Sequence, residues 1–213
     1  MISRKSKSKK VYENLRRRIA NNLLKPLQPL NERVLAQELK ISKTPIREAL
    51  QQLKKEGFVE NVPNKGFFVS RISVHDIREI FEVREILECR AASLAALRAD
   101  REKLINIRKK HESIEFENGK NPQSLLKAGD QIHTYIFESL GNNRLLAIYK
   151  TLQDHIARIR IFFVNQFDQR RLDASSDEHK EILEALIAQD ASRAEEAMRT
   201  HLRNAMEHIK RLI

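Results

Sequence analysis

The sequence predicts a mainly α-helical protein in two parts: three helices with a small β-hairpin at the N-terminus, then an antiparallel bundle of about six helices. Three observations predict this. Apolar residues recur at three- and four-residue intervals through most of the chain, which is the helical period. Only five glycines and five prolines are available to interrupt it. The charge is also divided unevenly: residues 1–70 carry 16 Lys and Arg against 6 Asp and Glu, whereas residues 71–213 carry 24 against 23. A basic head joined to a neutral body implies that only the head meets a polyanion, with nucleic acid the leading candidate.

In the head, Val11, Leu15, Ile19 and Leu23 give one apolar face on a first helix, which Pro26 and Pro29 end. A second helix starts after Asn31 as N-cap and runs through Val34, Leu35 and Leu39. After a break at Lys40–Ser42, Ile46, Ala49, Leu50 and Leu53 mark a third helix, with Pro45 in its first turn and Gly57 at its exit. Phe58–Glu60 and Phe67–Val69 flank a turn containing Pro63 and Gly66, so they read as two short strands. Two short helices joined by about four residues and followed by such a hairpin describe a winged helix-turn-helix. The boundary is expected after residue 72, leaving 73–213 as the second domain.

That second part opens at Ser73, with Asp76 three residues on, as a long helix to about Ala99. Further helices are expected near 101–117, 122–140, 143–168, 176–188 and 190–212. The breaks between them are placed at Gly119–Pro122, Gly141–Asn143 and Asp173–Ser176. Composition excludes several classes. The single cysteine, Cys89, allows neither an intramolecular disulfide nor a CxxC zinc site and suits a cytoplasmic protein. The basic start MISRKSKSKK leads into no apolar run, so no signal peptide is expected. Charges interrupt every apolar stretch well short of a membrane span.

The third helix leaves Lys43, Thr44, Arg47, Gln51 and Lys54 off its apolar face. A recognition helix enters the major groove N-terminus first, so Ser42, Lys43, Thr44 and Arg47 are placed to reach bases or phosphates. Lys65 and Gly66 at the hairpin tip suit a close approach to the minor groove. The run LNERVLAQELKISKTPIREALQQLKKEGFVENVPNKGFFV resembles the winged-helix signature of GntR regulators over residues 11–70. The resemblance implies DNA contacts from Arg33, from Ser42, Lys43, Thr44 and Arg47, and from Gly66. Lys43 stands where the family usually has arginine, which keeps the charge but loses the fork that grips guanine.

In the second part, His133 lies with Ile136, Phe137 and Leu140; His179 with Ile182, Leu183 and Leu186; His201 with Met198, Leu202 and Ala205. Each histidine is therefore on the apolar face of a different helix. Burying three imidazoles without partners is costly, and one metal ion would satisfy them together. His75, His111, His155 and His208 show no such convergence and are expected to face solvent. The pieces HTYIFESLGNN, SSDEHKEILEALIAQD and AMRTHL resemble the FCD ligand-binding domain of FadR-type GntR regulators. The resemblance implies a divalent metal, with zinc, nickel and manganese all compatible, held by His133, His179, His201 and an aspartate four residues before the first histidine. That position is Gly129, and the nearest acid is Asp130.

At about 100° per residue, positions i−4 and i−3 lie about 40° and 60° to opposite sides of a helical residue. Asp130 thus sits at the flank of the stripe. Either a helix irregularity brings it in as a ligand, or water or an effector carboxylate completes the shell. The resemblance implies that Arg84, in FEVREILE, lies near an effector cavity and grips the carboxylate of an organic-acid effector; the other role open to it is an ion pair with Glu88 at i+4. The resemblance implies a homodimeric regulator, usually a repressor, on a double-stranded DNA operator of two-fold symmetry, modulated by a small-molecule effector. Two other readings are a nonspecific architectural DNA binder and a histidine-site metalloenzyme. No HExxH motif or other general base supports the enzyme.

Overall fold

The computed structural model describes residues 4–117, 122–163, 166 and 169–212. Two compact units divide the chain, one formed by residues 1–73 with 153–162 and the other by 74–152 with 163–213. Among the described residues, no helix is long and apolar enough to cross a membrane.

The first unit contains α1 (Arg4–Ala20), β1 (Pro29–Leu30), α2 (Glu32–Glu38), α3 (Lys43–Lys55), β2 (Val59–Val62) and β3 (Gly66–Val69). α1 and α2 both pack on α3, whose Ile46, Ala49, Leu50 and Leu53 are buried against Leu15, Ile19 and Leu35. Asn31 caps α2, its side chain accepting from the backbone N–H of Arg33 and Val34. The sheet is antiparallel in the order β1-β3-β2, with Val59 opposite Val69 and Val62 opposite Gly66. Gly66 takes φ +89° at the wing turn, a backbone conformation that glycine adopts without steric cost.

Several expectations change here. The basic segment is helical from Arg4, so α1 starts earlier than the apolar pattern indicates. It also stops at Ala20: Asn22 adopts φ 54°, which turns Leu23 outward to 70% exposure and puts Leu24 in the core instead. The segment between Pro26 and Asn31 is more than a helix stop, because Pro29 and Leu30 form an edge strand on β3. Proline is tolerated there since an edge strand need not donate on both sides. Residues 153–162, read from sequence as part of the second domain, belong to the first unit. His155 stacks on Phe58 at 3.9 Å and shares a hydrogen bond with the Glu56 carbonyl, while Asp154 pairs with Arg16 and Arg158 donates to the Ser70 carbonyl. His155 is thus a packed residue, not a solvent-facing one, and its burial lowers its pKa.

The second unit holds α4 (Val74–Ala96), α5 (Arg101–Glu117), α6 (Pro122–Ser139), the first part of α7 (Asn143–Phe163), α8 (Gln169–Ile187) and α9 (Ala191–Lys210). α4 packs chiefly on α9, α8 on α9 and α5, and α6 on α4, α5 and α8. Small residues on α4, Ala91, Ala92, Ala95 and Ala96, let its neighbours approach closely. The break expected at Asp173–Ser176 is absent, and α8 runs unbroken from Gln169. Leu172 and Ser176 continue the buried stripe of His179, Ile182, Leu183 and Leu186, so packing overrides the weak helix propensity of Asp and Ser. The expected break at residues 119–121 and the expected end of the seventh helix at 168 lie outside the described residues.

Leu183 is fully buried at the centre of the helical core. Leu183→Ala is expected to cost about 2–5 kcal/mol, seen as a lower urea midpoint for loss of helical circular dichroism.

Candidate metal centre and nucleic-acid interface

The first turn of α3 is the solvent-facing end of a helix whose opposite face is core. Ser42, Lys43, Thr44 and Arg47 are exposed while Pro45 and Ile46 beside them are buried. Arg33 on α2 and Lys65 in the wing turn are also exposed, and Gly66 is half-buried. A groove of about 570 Å³ runs between α3 and the wing, with Arg47, Gln51, Asn64, Lys65 and Gly66 on its walls. Arg47 is not idle there: its guanidinium makes paired hydrogen bonds of 3.0 and 3.2 Å to Glu32, and that partner raises its pKa. Glu32 is a residue that the sequence reading passed over; it sits in the first turn of α2, where a carboxylate also complements the helix dipole.

The second site is buried. His133 on α6, His179 on α8 and His201 on α9 are each under 6% exposed, and each offers one nitrogen within 4.8 Å of the others. Helical spacing explains the convergence: Leu125, Ala128, Gly129, Ile132 and His133 form one buried stripe, and α8 and α9 present theirs to the same interior. The Nε2 atoms of His133 and His179 are 3.3 Å apart. Two nitrogens bound at about 2.0–2.1 Å to one tetrahedral ion would also stand about 3.3 Å apart.

Behind the imidazoles lie two carboxylates. Glu178 Oε2 takes the Nδ1 of His201 at 2.8 Å, and Arg171 pairs with the same carboxylate through two bonds of 2.8 Å. Glu88, with no exposure, lies 2.5 Å from the His133 Nδ1 and accepts from Arg84 Nε at 2.6 Å. The Glu88–His133 contact is close but bent away from linear hydrogen-bond geometry. Burial pushes both carboxyls up, yet their partners outweigh it: Arg84 and His133 hold Glu88 below the ordinary range, and Arg171 and His201 hold Glu178 down to about 2. Burial is the largest influence on His201 and lowers it to about 4 despite Glu178. At neutral pH that ring is uncharged and its outward nitrogen keeps a lone pair. Nδ1 atoms tied to carboxylates and Nε2 atoms turned toward one another are the pattern by which proteins orient metal-binding histidines. The donor set therefore fits a divalent metal.

Two sequence expectations change. Asp130 does not join the group: α6 is a regular helix, and the residue stays half-buried at the flank of its stripe. Gly129 is not an empty slot either. A Cβ there would lie 2.5 Å from the His179 Cε1, so the ring occupies the space a side chain would need. His111 is buried at 2% exposure, its ring edge-on to His179 with centroids 5.6 Å apart. Leu104, Ile107, His111 and Ile114 share one face of α5, and that periodicity is the sequence signal of its burial. Of the others, His75 is exposed beside Glu79 and His208 is half-buried.

Arg84 takes the ion-pair role, in the interior. It is 4% exposed, bonded to Glu88 and seated 4.9 Å over the Phe81 ring. Glu178 points away from the buried stripe of α8, and in the bundle that direction faces α9. Arg84→Met should strand the Glu88 carboxylate and destabilise the protein by about 3–5 kcal/mol. Arg84→Met with Glu88→Gln should recover part of that loss in the same denaturation measurement. Equal stability of wild type and the single variant would show that the pair holds nothing together.

Both halves have relatives. Residues 7–69 match the bacterial regulatory proteins of the gntR family, and residues 79–204 match the FCD domain. The Nta operon transcriptional regulator of Aminobacter aminovorans is 30% identical over 193 residues, covering 89% of this chain and 88% of that protein. The HTH-type transcriptional repressor GlaR of Escherichia coli (strain K12) is 29% identical over 198 residues, covering 90% of each. Of solved structures, E. coli McbR/YncC has a TM-score of 0.79 at 19% identity, covering 100% of this chain and 99% of that one, which shows a shared fold. The helix-turn-helix, the wing and the histidine-bearing bundle thus have one explanation: the chain belongs to the GntR family of bacterial transcriptional regulators, its helical part being an FCD domain.

Proposed function

We propose that this regulator is a homodimeric repressor whose grip on a two-fold DNA operator is changed by a small anionic effector, with residues 1–72 as the DNA-binding part and 73–213 as the sensor. The observation that carries the DNA half is the exposed start of α3, where Ser42, Lys43, Thr44 and Arg47 stand clear of a fully packed helix face. Arg33, Lys65 and Gly66 add the flanking contacts. Lysine and arginine there would exchange counterions for phosphates, while Thr44 and Lys43, at the end of α3 that enters the groove, carry donors for base edges. Arg47 would leave Glu32 for a phosphate. An exposed ion pair holds it only weakly, so the exchange costs little.

The sensor half rests on the three imidazoles, which would hold a divalent metal through His133, His179 and His201. Bound there, the ion would supply a positive charge for an effector carboxylate. Arg84 acts on that pocket from behind, by fixing Glu88 and so the His133 ring, and not by touching the effector. Dimerisation is supported by exposed apolar side chains on and just past α4: Val83 and Ile86 are exposed at 43% and 72%, and Leu97 at 63%. Exposure of this kind in a regulator of palindromic sites suits a symmetric partner.

Footprinting on the promoter of the protein's own gene, with unrelated DNA as competitor, tests the first half. The expected result is a protected region of two-fold symmetry that the competitor does not displace. Protection without symmetry, or equal competition, would replace the reading with an architectural DNA binder. Lys43→Ala should weaken operator binding by about 1–3 kcal/mol without changing the melting temperature. For the second half, zinc at a hundredfold excess over its dissociation constant should stabilise the purified protein by about 2.7 kcal/mol. Elemental analysis of stripped and reloaded protein should give one ion per chain; no uptake above background would sink the metal.

A further inference from the structure

We infer that His111 is the fourth protein ligand of this centre, making it an all-imidazole, carboxylate-free site for zinc-like divalent ions. The inference rests on the metal reading above and adds to it the identity of the missing donor.

Three observations lead there. First, the acid position is closed. Residue 129 is glycine, and the His179 ring lies against its Cα so tightly that a Cβ would sit 2.5 Å from Cε1 and 3.0 Å from Nε2. An aspartate at 129 and the present His179 ring cannot coexist, and Asp130 stays out of the group. Second, a fourth imidazole already stands against one of the three, His179. His111 is 2% exposed, with both ring nitrogens sealed from solvent.

Third, the ring spacings are those of a shared ion. For metal–nitrogen bonds of about 2.0–2.1 Å, two imidazoles on a tetrahedral ion have ring centres about 5 Å apart. The centroids here are 5.2 Å apart for His133 and His201, 5.4 Å for His133 and His179, 4.5 Å for His179 and His201, and 5.6 Å for His111 and His179. His111 nitrogens lie outside the group whose ligand atoms fall within 4.8 Å, so His111 completes the shell by turning about its side-chain bonds. Two of the other three rings are tied by their Nδ1 atoms, His133 to Glu88 and His201 to Glu178.

The chemistry follows from the donor set. Four neutral nitrogens leave the full divalent charge on the ion, and imidazole suits zinc, cobalt, nickel and copper better than manganese, which prefers carboxylate and water oxygens. Glycine at 129 and the burial of His111 then fit together: the bare position leaves room for the His179 ring, and α5 supplies the fourth donor.

The test uses the full-length protein loaded with cobalt(II), followed by absorption, and with zinc, followed by competition against a chelator. Wild type should bind zinc and cobalt, with manganese at least a hundredfold weaker. His111→Gln should lose at least tenfold in zinc affinity and shift the cobalt d–d bands toward higher coordination by water. His111→Cys should restore tight binding and add a thiolate-to-cobalt charge-transfer band that wild type, with Cys89 buried elsewhere, lacks. That band reports ligation directly and does not depend on the Gln variant folding well. Cobalt bound to His111→Cys without the band, or unchanged zinc affinity in His111→Gln, would overturn the inference while leaving a three-histidine site standing. Wild type that takes up no metal would overturn both. Gly129→Asp should weaken binding by displacing His179; tighter binding that makes His111 dispensable would also overturn it.

Discussion

A carboxylate with no exposure to water can stay ionised only if cations stand against it, and Glu88 is such a group. Arg84 reaches it from one turn earlier on α4, and His133 lies against its other oxygen. Neither charge of the ion pair has water to fall back on, since Arg84 is itself 4% exposed. Removing either partner leaves an uncompensated charge in the core, which is far costlier than any one lost contact. The same carboxylate points the His133 ring into the interior. Stability of the bundle and readiness of the imidazole group are therefore one constraint, and it runs through a single glutamate.

Around that constraint the site is symmetrical in logic if not in sequence. Glu178 does for His201 what Glu88 does for His133, with Arg171 in the place of Arg84. Each carboxylate is held ionised by an arginine of its own helix and orients a histidine of another. The arrangement keeps the Nε2 side of each ring for whatever lies between the helices. His179 is placed by shape instead: the glycine at 129 lets its ring lie on the backbone of α6. A methyl group there would break the placement, so the absence of a side chain is as specific a feature as the carboxylates.

The α3 face works under the opposite rule. Its basic residues stand in water, and Arg47 has a carboxylate partner in Glu32. Water screens that pair, so it sets the direction of the guanidinium more than it contributes to stability. Exposed cations lie over a fully packed helix face, with no buried charge among them. The protein thus keeps two kinds of polar site: one costly, dry and oriented by ion pairs, the other open and held by the core beneath it.

The winged helix-turn-helix was legible from the sequence because its elements are short, periodic and bounded by residues with strong local preferences: Asn31 as a cap, Pro45 in a first turn, Gly66 in the wing. The three histidines were legible as inward-facing because helical periodicity fixes the face on which a residue lies. Local pattern stopped at the places where partners from other helices decide. The continuation of α8 through Asp173–Ser176, the strand at Pro29–Leu30 and the burial of His155 all depend on what packs against them. So do the roles of Glu88, Glu178 and His111, since periodicity says which way a side chain points along its own helix and nothing of which helix stands opposite. The sequence by itself determined that imidazoles turn inward and that cations turn outward. Only the tertiary structure decided which carboxylates orient those imidazoles and that the space at Gly129 belongs to His179, because both follow from distances between elements far apart in the chain.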